Sequence, residues 1–333
     1  MTSRERSDAA AAAWLTLPRG LARRWTGLGA RRLLRLALAG LWLLDAGLQL
    51  QPFMFTKAFA GTLASAAAGN PSVVAWPILW SARLTAQEPV LANAAFAAVQ
   101  LLIGLSIAWR PALRIGLAAS MAWSAAVWWL GEGSGGLLTG QANPVAGAPG
   151  AVALYALLAA LLWPRDDEMS CQFAAVPRAA AGPWRMVWLV IWAGLACLAL
   201  RSASPQGLYD QVRALAAGEP GWIAALNHAT AGVLAGRGVL FSGALAAVLL
   251  VIAAGVFLPT AAARAAIVAA VALSALIWVA GQDFGGIFAG SATDPNSGPL
   301  LALLAVAFWP SRARTGPGGS PAEMGIAHVQ YVR

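Results

Sequence analysis

Apolar positions along the chain gather into eight long runs, at 33–51, 90–109, 113–130, 149–163, 184–201, 238–258, 262–280 and 297–310. Polar or glycine-rich joints separate them. A bilayer core takes roughly 20 apolar residues per helix, so each run reads as a spanning helix. The runs at 149–163 and 297–310 are short. They would recruit flanking Gly and Pro residues, or the bilayer would thin around them. The predicted fold class is all-α: a polytopic membrane protein with eight transmembrane helices.

The runs also come in two sets of four. In the stretch 128–144, Trp128, Gly131, Gly135, Gly136, Gly140 and Ala142 return as Trp278, Gly281, Gly285, Gly286, Gly290 and Ala292 of 278–295. The helices that follow match as well, 154–164 against 300–310, each closing on a Trp-Pro pair. Upstream, Trp42 and Leu50 fall opposite Trp192 and Leu200, and Gly69, Asn70 and Pro71 opposite Gly218, Glu219 and Pro220. In both joints a Gly ends one short helix and a Pro opens the next. The first of these helices is amphipathic, with Phe55, Phe59 and Leu63 in one copy and Leu208, Val212 and Leu215 in the other; such helices lie on a membrane surface. The pattern predicts two parallel four-helix repeats, since an even number of spans preserves orientation. The organisation is then a basic segment 1–32, a first repeat 33–164, a linker 165–183, a second repeat 184–310 and a disordered Pro/Gly-rich tail 311–333.

Composition agrees with a bilayer. Hydrophobic residues make up 59% and charged residues 11%, with a mean hydropathy of +0.68. Soluble domains carry about 45–50% and about 25%, so a disordered chain is excluded and an ordinary soluble enzyme disfavoured. The net charge of +9 could point to nucleic acid, but the arginines sit between apolar runs, where they act as topology signals. One face collects Arg4, Arg6, Arg19, Arg23, Arg24, Arg31, Arg32, Arg35, Arg110, Arg114, Arg165, Arg178, Arg185, Arg264, Arg312, Arg314 and Arg333. The other keeps Lys57, Arg83, Arg201, Arg213 and Arg237. The richer face is cytoplasmic by the positive-inside rule, which predicts a multi-pass cell-membrane protein with both termini inside. The first run reads as a retained anchor, because Gln49, Gln51, Thr56 and Lys57 separate it from the small-residue triplet Ala58, Phe59, Ala60.

Candidate chemistry is sparse. Gly131, Gly133 and Gly136 fit GxGxxG, but that fingerprint needs a preceding strand. Here an apolar helix precedes it, and Asp283 replaces the middle glycine in the second copy. Two readings of the Gly-rich joints stay open. One is a tight turn packed between helix ends. The other is a paired polar pocket at the outer face, lined by Glu132 and Asn143 from one joint and by Gln282, Asp283 and Asp294 from the other. Asp45 is the carboxylate well inside a run, opposite Leu195 in the second set. An intramembrane acid is a functional-site hypothesis by default; its alternative is an acid that snorkels outward or pairs with Lys57 or Arg83. His228 lacks a second histidine in a run, Cys171 and Cys197 form no pair, and Asp166, Asp167 and Glu168 read as a solvated face. No metal or cofactor site is expected, the catalytic residues are unknown, and whether the chain is an enzyme stays open.

The first set resembles the DoxX/DoxD-type four-span membrane family. The likeness rests on Arg35 and Gly40, then Asp45, Gly47 and Gln49, for its first helix. Gln100 and Gly104 followed by Arg110 and Arg114 resemble its second helix and inner turn. Gln100 stands where that family carries a glutamate, and Gln49 and Leu50 where it carries a lysine. The resemblance implies a membrane accessory subunit in thiosulfate–quinone or thiol redox chemistry, with a quinone or lipid ligand and a soluble or membrane redox partner. A small-solute transporter and a membrane scaffold are the alternatives.

Overall fold

The computed structural model describes residues 27–164, 173–176 and 180–310. The basic N-terminal segment, the acidic run 166–168, Cys171 and the tail lie outside them. The described residues are helical, in the order α1 (Gly27–Leu48), α2 (Lys57–Ser65), α3 (Ser72–Gln87), α4 (Pro89–Ala108), α5 (Leu113–Leu130), α6 (Ala151–Leu161), α7 (Ala181–Arg201), α8 (Gly207–Leu215), α9 (Gly221–Leu234), α10 (Gly238–Gly255), α11 (Thr260–Ala280) and α12 (Ser297–Ala307). Short 3₁₀ turns at Gly133–Gly136 and Asp283–Ala289 follow α5 and α11.

Five segments are long and apolar enough to cross a membrane: Pro89–Ala108, Arg110–Leu130, Ala181–Arg201, Gly238–Gly255 and Thr260–Ala289. Their outward faces carry Ile115, Val190, Leu240 and Val251, all strongly exposed. That is the surface a lipid phase would cover. Helix α1 is as long, but Arg31, Arg32, Arg35 and Asp45 interrupt its apolarity. It begins earlier than the hydrophobic pattern predicts because Arg31 is not solvated. Arg31 is buried, and its guanidinium donates to Ala175 O at 2.6 Å and Trp163 O at 3.0 Å. Helices α6 and α12 have 11 residues each, roughly 17 Å of helix, and non-helical backbone completes their path.

Helix α1 packs on α4 and α7 on α10. Likewise α5 packs on α6 and α11 on α12, while α2 pairs with α3 and α8 with α9. Helices α6 and α12 meet at the centre, where Leu158, Ala159, Leu161, Leu304, Ala305 and Ala307 are buried. A helix apolar all round belongs in such a position. Aromatic contacts line the same core: Trp42 on Tyr155 (centroids 4.4 Å), Trp188 on Phe308 (4.9 Å) and Trp188 on Trp192 (5.3 Å). At one end, residues 173–176 close the bundle. Ala174 N donates to Trp309 O at 2.8 Å and Ala175 N to Ala307 O at 3.0 Å, which satisfies carbonyls at the end of α12. Cys197 is exposed on α7.

Candidate functional site

The opposite end of the bundle is built by two glycine-rich loops, 131–150 after α5 and 281–296 after α11. Each opens with four successive left-handed residues: Gly133, Ser134, Gly135 and Gly136 in the first, Asp283, Phe284, Gly285 and Gly286 in the second. Left-handed backbone costs a residue with a Cβ about 1–2 kcal/mol, so packing must hold the non-glycine members. Phe284 is held by Trp278, Trp222 and Phe288, with centroids 5.3, 6.1 and 5.9 Å away. The glycines permit close passage. A Cβ on Gly135 would strike Pro149 O, and one on Gly285 would strike Pro295.

An indole fastens each loop. Trp128 Nε1 donates to Pro149 O and Trp278 Nε1 to Pro295 O, both at 2.8 Å. This corrects the match of Pro144 to Pro295, since the proline in the corresponding place is Pro149. The separations are 21 and 17 residues, so the first loop has four extra residues before its helix. Gly147, in this extra turn, lies against the Asn296 amide of the second loop.

Glu132 and Gln282 occupy matching positions and do matching work. Glu132 Oε1 accepts from Val152 N at 3.3 Å, and Gln282 Oε1 accepts from Gly298 N at 3.1 Å. Each thereby satisfies an orphan amide at the start of α6 or α12. Their other atoms differ. Gln282 Nε2 donates to Ser297 Oγ at 2.8 Å and to Pro144 O at 3.2 Å, which ties the loops together. Glu132 Oε2 is buried beside Gly150 and has no hydrogen-bond partner.

Glu132 is one of the residues lining a cavity of about 350 Å³, with Gln141, Asn143, Gly147, Asp294 and Asn296 among others. A neighbouring cavity of about 490 Å³, reaching Ser65 and Asn70, shares Glu132, Gly136 and Gln141. Asn143 Nδ2 donates to Gln211 Oε1 at 3.0 Å, and its Oδ1 accepts from Ala146 N at 2.8 Å. Asp294 accepts from Thr293 Oγ1 and Asn296 N, both at 2.8 Å. Burial, then the Asp294 charge, raises the Glu132 carboxyl well above its ordinary range. Burial also raises Asp294, against the pull of its two donors.

Asp45 lies under this cavity. It is 2% exposed, its Oδ1 is unpartnered, and it feels the charges of Asp294 and Glu132. Beside it stands the fully buried Tyr155 hydroxyl, which pairs with the Asp45 carboxyl. Of the six residues singled out from sequence, the structure therefore gathers Glu132, Asn143 and Asp294 around one cavity, with Asp45 beneath. Gln282 is spent on the cap and the loop tie. Asp283 turns away to meet Glu219. No donor among the described residues reaches Glu219 Oε2 or Asp283 Oδ1. Partial burial and then Asp283 raise Glu219 from 4.5 to about 7. In the first loop the corresponding contact is Gly133 against Ala66 and Asn70.

Sequence reasoning missed Tyr155 and Asn296. Tyr155 had a signal: it is the one hydroxyl in the run 149–163, opposite Leu301. Asn296 had none, because its place depends on the extra turn. Among the described residues no three His, Cys, Asp or Glu side chains are grouped to hold a metal ion, and His228 is exposed. Comparison with protein-family models, curated proteins and solved structures gives no match.

Proposed function

We propose that the chain is a multi-pass cell-membrane protein made of two parallel four-helix units, whose glycine-rich loops form a small-ligand pocket on the outer face. Helices α1, α4, α5 and α6 make the first unit, and α7, α10, α11 and α12 the second. Helices α2, α3, α8 and α9 lie in the outer joints. The matched packing pairs, the paired indole–proline bonds and the equivalent caps of Glu132 and Gln282 support the duplication. The observation that carries the pocket is the convergence of Glu132, Asn143 and Asp294 on one cavity. Its size is at the low end for small-molecule sites. The likeness of the first unit to DoxX/DoxD-type proteins supports an accessory role beside a membrane redox partner, with the pocket holding a lipid headgroup or a small solute.

Native mass spectrometry of protein released from mild detergent tests this. The expected result is a reproducible adduct that Glu132→Gln weakens. A bare chain under all release conditions would remove the pocket from the account.

A transporter is the second reading, and one observation favours it. Gln49, just past the end of α1, and Asn93 and Gln100 on the facing helix α4 are buried with unpartnered side-chain carbonyl oxygens. Gln49 lies one turn beyond Asp45 toward the loops, and Asn93 Nδ2 donates to its backbone oxygen at 2.7 Å. Apolar Ile103, Ile107 and Leu117 follow, so the polar run stops inside the bundle. Solute uptake into proteoliposomes distinguishes the two readings.

A further inference from the structure

We propose that the cavity between the loops takes a small organic cation, an ammonium group on a compact apolar body, supplied by a free amine or by an aminolipid headgroup. The inference rests on the ligand-pocket reading and names the chemistry of its ligand.

Glu132 is the first argument. The cap at the start of α6 does not need a charge, because Gln282 performs the same cap at α12 with an amide. The Glu132 carboxyl lines the cavity and keeps Oε2 buried and unpartnered beside Gly150. Buried polar oxygens are otherwise satisfied in folded proteins, so this atom is arranged for something that enters.

A second observation lies behind the cavity wall. Asp45 and the Tyr155 hydroxyl are at least nine-tenths buried, pair with each other, and stand within electrostatic reach of Glu132 and Asp294. Among the described residues, the charged groups that act on Glu132, Asp294 and Asp45 are these acids themselves. Two acids lining one concavity, with a third behind them, repel an anion and attract a cation.

The walls decide what kind of cation. Ala142, Ala146, Ala148 and Ala151 line the cavity with methyl groups, which suits an organic body. A bare metal ion would be far smaller than the space, and the carboxyls are not grouped to ligate one.

Binding is coupled to protons. A neutral carboxylic acid meets the ammonium, the acid's proton leaves to water, and the carboxylate–ammonium pair remains. No electrons move. The titratable groups lining the cavity are Glu132 and Asp294, and Asp45 and Tyr155 act on them from behind. Burial favours the protonated form of Glu132 and Asp294 in the empty site. Affinity for the cation therefore rises with pH, by at most about tenfold per unit for each proton released.

The test uses the full chain in phosphatidylcholine nanodiscs. Ethylammonium chloride and propan-1-ol, a neutral molecule of similar size, are titrated calorimetrically at about pH 5.5 and about pH 7.5. Two buffers of different ionisation heat report proton release. The expected result is ethylammonium binding that tightens at least about tenfold with pH and releases a proton. Glu132→Gln should lose both the affinity and the proton release while keeping its unfolding temperature. Asp45→Asn, a second variant that leaves the cap intact, should weaken binding too. Propanol binding as tightly as ethylammonium, or tightening as pH falls, overturns the cation and leaves the pocket standing. If neither probe binds, both ideas fall. Repeating the titration in discs that contain phosphatidylethanolamine identifies the source. Competition points to the headgroup, and an unchanged affinity points to a free amine.

Discussion

The two glycine-rich loops share a backbone and differ in charge. Each runs through four left-handed residues, passes a glycine beneath a proline and is fastened by an indole. In the second loop Gln282 uses both ends of its amide, and the positions matching Asp45 and Tyr155 are the buried Leu195 and Leu301. In the first, Glu132 carries an unpartnered oxygen, and Asp45 and Tyr155 stand within its electrostatic reach. One loop is closed chemistry and the other open. The difference teaches that the shared geometry is scaffold, and that the two loops diverge in the polar groups they carry.

The largest expected effect breaks the scaffold in both loops alike. Gly135→Ala drives a methyl into Pro149 O, and Gly285→Ala does the same at Pro295. Each should cost about 4 kcal/mol or more and appear as loss of folded protein by size exclusion. Gly286→Ala, with open space around it, should cost only about 1–2 kcal/mol. Exchanging the divergent pair sharpens the comparison. Gln282→Glu places a carboxyl oxygen against Pro144 O and should destabilise by roughly 2–3 kcal/mol. Glu132→Gln should be near neutral for stability. Thermal unfolding followed by intrinsic tryptophan fluorescence checks both.

Trp128→Phe and Trp278→Phe each delete one indole bond and should each lower stability by about 1 kcal/mol. Unequal losses would mean that the loops are not mechanically equivalent. The smallest effect concerns Glu219 beside Asp283. An acid raised in the folded state stabilises below its ordinary value and loses that contribution as pH rises through the raised one. Between 4.5 and about 7 the contact of the α8–α9 turn with the second loop should loosen. Hydrogen exchange in the peptides around 219 and 283 should quicken over that window, and Glu219→Gln should flatten the change.

Much of this architecture was legible because helices spanning an apolar phase write their period and length into the sequence. The positions of α4, α5, α7, α10 and α11 follow the hydrophobic runs. Glu132, Asn143 and Asp294 were legible as a group because glycine-rich joints are hard to place anywhere but at helix ends. What the sequence hid depends on contacts across the bundle. Asp283 is an acid next to the pocket in sequence, but its left-handed backbone points it at Glu219. Gln282 reads as a free polar group and is consumed by three hydrogen bonds. The four-residue difference between the loops shifted the proline match, because spacing alone does not show which carbonyl an indole will reach.

The clamp made by Arg31 has a consequence for how the chain is made. With three arginines and an aspartate, α1 is a costly segment to leave in lipid on its own. The acceptors that bury Arg31 are Trp163 and Ala175, which leave the ribosome more than a hundred residues later. The first described helix is thus seated only after the linker that locks it has been made.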